Sequence, residues 1–292
     1  MKHISFIINP VSGNGNKDKF LKEVVQIDKW KGWSYEVLFT ERAGHATELA
    51  EEYSAKANYV IAVGGDGTVH EVAKGLVGTE AIFGIIPMGS GNGVARHLKI
   101  PVKISKAITI IKDSGIHKID TLRINGEFIL GIGGAGFDAH IAHEFDKAPT
   151  RGLSTYAQLS IREYFKFKSI GYQFEIDSLK VEGKAFLFAI ANSSQWGNDF
   201  FISPESRMKG GEAKLIVVEE TNLARTTLLG SALLVKKLTK LPFVKSYDFK
   251  ELKFKLNTST FHIDGEPSTV EGEQTVKVIP DDLLVCLPGI KV

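Results

Sequence analysis

A chain of 292 residues, 43% hydrophobic and 24% charged, is long enough for two ordinary domains and has the balance of a globular protein that buries a core. Its net charge of +2, with basic residues not gathered into dense runs, argues against nucleic acid as a partner. The single cysteine, Cys286, makes no internal disulfide, the N-terminal apolar run is too short for a signal peptide, and no apolar segment approaches the roughly 18 residues that span a bilayer, so a cytoplasmic location is expected.

Residues 3–8 are a continuous apolar strand candidate, and Asn9-Pro10-Val11-Ser12-Gly13-Asn14-Gly15 after them supplies turn formers. Residues 17–30 read as helix, 35–40 as a strand ending at Thr40, 46–56 as helix and 59–63 as strand. That last strand runs into Gly64-Gly65-Asp66-Gly67-Thr68, around which the chain is organised. Glycines there let main-chain N–H groups approach a polyanion such as phosphate. The Asp66 carboxylate would repel phosphate unless a divalent cation such as Mg2+ stood between them. The pattern therefore reads as a nucleotide with its metal, the alternative being a plain strand-to-helix turn capped by Asp66. Residues 69–76 read as helix and 81–86 as strand, and a third glycine loop, Pro87-Met88-Gly89-Ser90-Gly91-Asn92-Gly93, opens onto a helix at 94–98. Loops that follow parallel strands lie at one edge of a sheet and converge on one crevice.

After a helix at 104–112 the pattern changes. Strands at 118–124 and 127–132 flank Asn125-Gly126, a strong hairpin signal. Further strand candidates are 171–176, 185–191, 213–218, 252–256, 260–263, 275–279 and 283–287, with helical insertions at 154–166 and 222–238. The expected fold has two domains, an α/β domain with a parallel sheet at 1–120 and a mostly-β domain at 121–292, leaving open that the extreme C-terminus packs back on the first. Residues 223–255 carry Arg225, Lys236, Lys237, Lys240, Lys245, Lys250, Lys253 and Lys255 against Asp248 and Glu251, interleaved with Leu, Val and Phe. That composition suits an anionic bilayer surface, and equally a solvated face whose lysine stems cover the core. His45, His70 and His97 lie near the glycine loops but match no zinc spacing.

In their order along the chain, NPVSGNG, GGDGT and GSGN resemble the diacylglycerol kinase catalytic family, which includes bacterial lipid kinases and sphingosine kinases and is more distantly related to NAD kinases. Gly133-Gly134-Ala135-Gly136-Phe137-Asp138, read as a further glycine loop, resembles the segment that enters the family's lipid pocket, and His262-Ile263-Asp264-Gly265-Glu266 resembles its late D-G-E motif. The literal GxGxxG of 131–136 is not a dinucleotide fingerprint, because the α/β alternation has ended and no acidic residue stands around 150–156.

The resemblance implies an N-terminal nucleotide domain, a C-terminal β-sandwich and ATP-dependent phosphorylation of a lipid hydroxyl. It implies that Asn9, Pro10, Ser12, Gly13, Thr40, Gly64, Gly65, Gly67, Thr68, Gly89, Ser90, Gly91 and Asn92 hold ATP, with Asp66 positioning Mg-ATP. The base would come from Asp264 or Glu266, with Glu266 slightly ahead, and Asp138 would bond a polar head group unless it caps a helix. Bacterial members often form a structural Mg2+ site from an Asp-Gly and a second acidic residue three beyond the glycine. Gly210 and Lys214 stand at those two positions, so no such site is expected. The expected location is the cytoplasm, with peripheral contact at the inner membrane face. An NAD kinase-like enzyme and a non-catalytic lipid or nucleotide sensor are the rival readings, and the acceptor lipid is left unspecified.

Overall fold

Residues 1–12, 16–113, 115–148 and 153–288 are described by a computed structural model of the chain. They fall into two units, Met1–Asp120 together with the chain from Pro280 onward, and Thr121–Ile279.

The first unit holds β1 (Lys2–Ile8), α1 (Asn16–Val24) continued by a 3-10 turn, β2 (Trp33–Phe39), α2 (His45–Tyr53), β3 (Tyr59–Gly64), α3 (Asp66–Leu76), β4 (Ile82–Pro87), α4 (Gly93–His97) and α5 (Ile104–Asp113). The strands are parallel in the order β4-β3-β1-β2. Every residue of β3 is buried, which is why its sequence is an unbroken apolar run instead of an alternation. The chain lays β2 on one side of β1 and β3 on the other, so the strand order reverses at β1, the place where open parallel sheets bind ligands.

The second unit contains β5 (Gly115–Ile124, entering from the first unit), β6 (Glu127–Ile129), β7 (Ile132–Gly136), α6 (Phe137–Asp146), α7 (Leu153–Tyr164), β8 (Ile170–Ile176), β9 (Leu179–Ala191), β10 (Ala213–Glu219), α8 (Leu223–Leu234), β11 (Val244–Phe249), β12 (Glu251–Leu256), β13 (Thr260–Ile263), β14 (Glu266–Thr269) and the first part of β15 (Glu273–Leu287). Its antiparallel order is β14-β13-β7-β9-β8-β12-β15, with β10 and β11 branching from β9. The long β9 is the spine: its beginning pairs with β8, and its end lies between β7 and β10. Alternate β9 side chains serve two cores. Phe188 and Ile190 join Phe174, Phe254 and Phe261, while Ala189 and Ala191 join Ile216, Leu229 and Leu233 beneath α8.

Several expectations change. The expected strand 127–132 is broken into β6 and β7, and the expected glycine loop 133–136 is strand β7, hydrogen-bonded to β9 and β13. Residues 275–279 and 283–287 belong to one continuous strand, β15, whose Pro280 is exposed and so breaks no buried ladder bond. Helix α6 and strands β11 and β14 were not anticipated. The expected helix 222–238 ends at Leu234, so most of the lysines of 236–255 lie on turns and on β11 and β12. In the first unit the end of β15 runs parallel beside β4 through Val285 and Phe83, and Cys286 is buried there.

Candidate active site

Because β1, β2, β3 and β4 are parallel, the segments after Ile8, Phe39, Gly64 and Pro87 emerge at one edge. Main-chain bonds fasten them: Asn9 N–H donates to Val63 O (3.2 Å), Thr40 N–H to Ile8 O (2.9 Å) and Met88 N–H to Gly64 O (2.7 Å). Asn9 also folds its own turn, accepting Val11 N–H on Oδ1 (3.1 Å) and Ser12 N–H on its carbonyl (3.1 Å). Pro10 and Ser90 are exposed, Thr40 is buried, and Gly13 lies outside the described residues. The buried Thr68 side chain folds against Gly64, where a Cβ would meet its hydroxyl at 2.5 Å.

The two glycine loops pack main chain against main chain, since a Cβ on Gly89 would stand 2.6 Å from Gly65 Cα. Asn92, at φ 55°, closes the second loop by donating Nδ2–H to Gly89 O (2.7 Å) and accepting Gly89 N–H (3.0 Å). Asp66 joins the loops, accepting Asn92 N–H (2.8 Å) and Gly93 N–H (2.7 Å) on its two oxygens. It is thus a cap for the next loop, and its charge is fixed at the head of both. Mg2+ takes carboxylate and phosphate oxygens, so the Asp66 carboxylate at the glycine loops is of the chemistry that fits a nucleotide-borne Mg2+. Among the described residues no three His, Cys, Asp or Glu side chains gather as a metal site.

In the second unit, Asp264 and Gly265 (φ 51° and 88°) are the two-residue turn between β13 and β14, which places Glu266 directly across from Ile263. Asp264 accepts three main-chain N–H groups, from Leu130 (2.8 Å), Gly131 (2.6 Å) and Ile132 (2.9 Å), and its own N–H donates to Ile132 O (2.8 Å). Those bonds take the amides that would have continued β6, which is why the strand breaks at Leu130-Gly131. Glu266 is exposed.

Asp138 opens α6 and is 7% exposed. One oxygen accepts Ala139 N–H (2.9 Å) and the other lies 2.9 Å from Nε2 of His262, itself 3% exposed. Sequence reasoning missed His262 and the neighbouring His143. The available signal was position: an extended strand puts His262 on the same face as Asp264, two residues on. At 208–214 the residues do not fit a structural metal, because the Lys214 ammonium stands at the second ligand position and pairs with Asp248 across β10 and β11.

Comparison with known proteins gives these structures a family. The model of the diacylglycerol kinase catalytic domain matches residues 3–124, and that of the YegS C-terminal NAD kinase beta sandwich-like domain matches 131–287. The chain is 30% identical over 227 residues to a diacylglycerol kinase of Staphylococcus haemolyticus, covering 75% of this chain and 68% of that one. It is 29% identical over 235 residues to one of Bacillus subtilis, covering 77% and 76%. A solved structure of a diacylglycerol kinase from Bacillus anthracis str. Sterne superposes with a TM-score of 0.75 at 19% identity, over 100% of this chain and 98% of that one, and shares the two-domain fold of α/β unit and β-sandwich. On its paired family models and its relatives, the chain belongs to the diacylglycerol kinase catalytic family and is a lipid kinase.

Proposed function

We propose that the chain transfers the γ-phosphate of ATP, with Mg2+, to a hydroxyl of a lipid such as diacylglycerol or a sphingoid base. The observation that carries this is the Asp66 carboxylate joining the two glycine loops that follow β3 and β4 of a parallel sheet, in a chain whose relatives are named diacylglycerol kinase. ATP supplies the phosphoryl group, and Mg2+ neutralises charge on its oxygens. The main-chain amides of the loops after β1, β3 and β4 hold the phosphates, and Asp66 orients the cation. Asp264 is engaged with three amides, so it anchors the turn. Glu266, exposed and two residues on, takes the acceptor hydroxyl's proton.

The same reading includes peripheral contact with an anionic bilayer. Helix α8 carries one basic residue, Arg225, and the cations that follow it are Lys236, Lys237 and Lys240. Leu223, Leu228, Leu234 and Val235 are exposed among them, an apolar and basic mixture that suits a lipid surface. Farther on, Lys245 and Lys250 stand 3.9 Å from Glu219 and Glu212, which weakens their claim to be part of it. No described helix is long and apolar enough to cross a membrane.

The test is transfer of labelled γ-phosphate from Mg-ATP to a panel of lipids in mixed micelles, with NAD as a separate acceptor. Asp66→Ala and Glu266→Gln serve as controls, the second because it leaves the loop bonds intact. A labelled lipid lost in both variants is expected. Labelled NAD would move the chain to the NAD kinase reading, and ATP binding without any product would make it a sensor.

A further inference from the structure

Helix α6 is fastened to the β13–β14 hairpin at two heights by histidine. Toward its C-terminal end, His143 Nε2 donates to the main-chain carbonyls of Phe261 (2.9 Å) and Ser268 (3.2 Å), one on each strand of the hairpin. At its start, Asp138 meets His262 Nε2 at 2.9 Å, and the other ring nitrogen, Nδ1, faces Gly265 N–H at a long 3.4 Å. A nitrogen that faces an N–H acts as the acceptor, so the proton of His262 sits on Nε2 and is donated to Asp138. The chain makes room for this pair. Gly134, opposite His262 in the β7–β13 register, would with a Cβ come 3.2 Å from Asp138 Oδ2. The hairpin turn is therefore gripped from two sides: Asp264 ties it to the amides of 130–132, and His262, held by Asp138, contacts the amide of Gly265.

Resting on the reading of Glu266 as the base, we propose that Asp138 and His262 are a positioning pair. They orient the 264–266 turn so that Glu266 is presented at a fixed place, and neither touches the lipid. Both side chains are more than nine-tenths buried and bonded to each other, so the Asp138 carboxylate is committed to the histidine and not to a head group. A base held about an ångström off its place loses the alignment that proton transfer needs, and this appears in kcat and not in substrate affinity.

The experiment uses the full chain with His262→Phe, which keeps bulk but removes both ring nitrogens, His262→Gln, whose amide can donate to Asp138, and Asp138→Asn, which keeps an acceptor oxygen. His262→Phe is expected to lower kcat about 10- to 100-fold with the lipid and ATP KM within about twofold. His262→Gln should restore at least about a third of the rate, and Asp138→Asn should lose less than about fivefold at unchanged lipid KM. Amide hydrogen exchange, read in parallel, should quicken about tenfold or more at 264–266 in His262→Phe and stay unchanged in β3. A His262→Phe enzyme at near-normal kcat would overturn the proposal. So would an Asp138→Asn enzyme whose lipid KM rises at constant kcat, which would make Asp138 a head-group ligand. If the wild-type chain phosphorylates no lipid, the kinase reading fails by itself, and the exchange measurement decides the pair: unaltered exchange at 264–266 overturns it.

Discussion

Three carboxylates, Asp66 in the first unit and Asp264 and Glu266 in the second, differ in what they are bonded to, and that difference separates the roles proposed for them. Asp264 holds three main-chain amides, Asp66 holds two, and Glu266 is exposed at the first position of β14. Replacing Asp264 by Asn keeps the shape but turns one oxygen into a donor that faces an N–H group, leaving buried amides unpaired. The expected loss is about 3 kcal/mol, from the worth of hydrogen bonds to a charged acceptor, and it should appear as a clear fall in Tm. Glu266→Gln removes only the proton acceptor. Its Tm should stay within a degree or so, as for an exposed substitution, while turnover falls on the order of a hundredfold. Thermal melts set beside initial rates check both at once. A stable but inactive Asp264→Asn would reverse the assignment and make Asp264 the base.

At the scale of elements, close approach of β7 to β9 depends on residues without side chains. A Cβ on Gly134 would fall 2.7 Å from Phe188 O, a main-chain atom with nowhere to go, so Gly134→Ala should cost about 1–3 kcal/mol in a denaturant titration. A second element-level tie is Glu163 of α7, 6% exposed at its side chain, which accepts from Arg162 Nε (2.7 Å), Lys166 Nζ (3.0 Å) and His140 Nε2 of α6 (3.3 Å). Donation from Arg162, then from Lys166, holds its carboxyl down at about 2 from an ordinary 4.5, against burial pushing it up. The folded value lies below the unfolded one, so the stabilisation is present above 4.5 and is lost as pH falls from there toward 2. The partner cations are more than half exposed, which screens part of the gain. Glu163→Gln should therefore lower Tm at neutrality and change it little near pH 2, which flattens the fall of Tm between about pH 5 and pH 3. An unchanged acid slope would show that the ion pairs of Glu163 with Arg162 and Lys166 do not stabilise the fold. The strands and glycine loops of the first unit were legible because each carries a local signal, a β-branched run or a cluster of glycines. The break at Leu130-Gly131 was not, because its cause is Asp264, more than a hundred residues away. Likewise β7 looked like a loop: its glycines serve strand packing, which a composition rule mistakes for turn chemistry.

Across the whole molecule, β15 carries the chain out of the second unit and ends beside β4 in the first, so Leu283, Val285 and Cys286 belong to the core of the first unit although they lie about 200 residues beyond β4. An apolar run marked 283–287 as a strand, but pairing partners so distant in sequence leave no trace in periodicity. The basic stretch of 223–255 is the reverse case. Its composition was plain, yet the fold disperses it over α8, the following turn, β11 and β12, and acidic partners across the strands face some of it. What stays together is the end of α8, with Leu234 and Val235 exposed and Lys237 and Lys240 beside them. If this end meets an anionic bilayer, each lysine contributes about 1 kcal/mol, roughly a fivefold change in partition. Lys237→Gln with Lys240→Gln should then weaken sedimentation with anionic vesicles by about 25-fold at low salt and leave binding to neutral vesicles unchanged. The variant touches no bond of the glycine loops or the 264–266 turn, so its turnover of a lipid dissolved below micelle formation should be that of the wild type. Equal loss with dissolved and vesicle-borne lipid would trace the effect to the fold, and no loss with either would remove this end of α8 from the membrane surface.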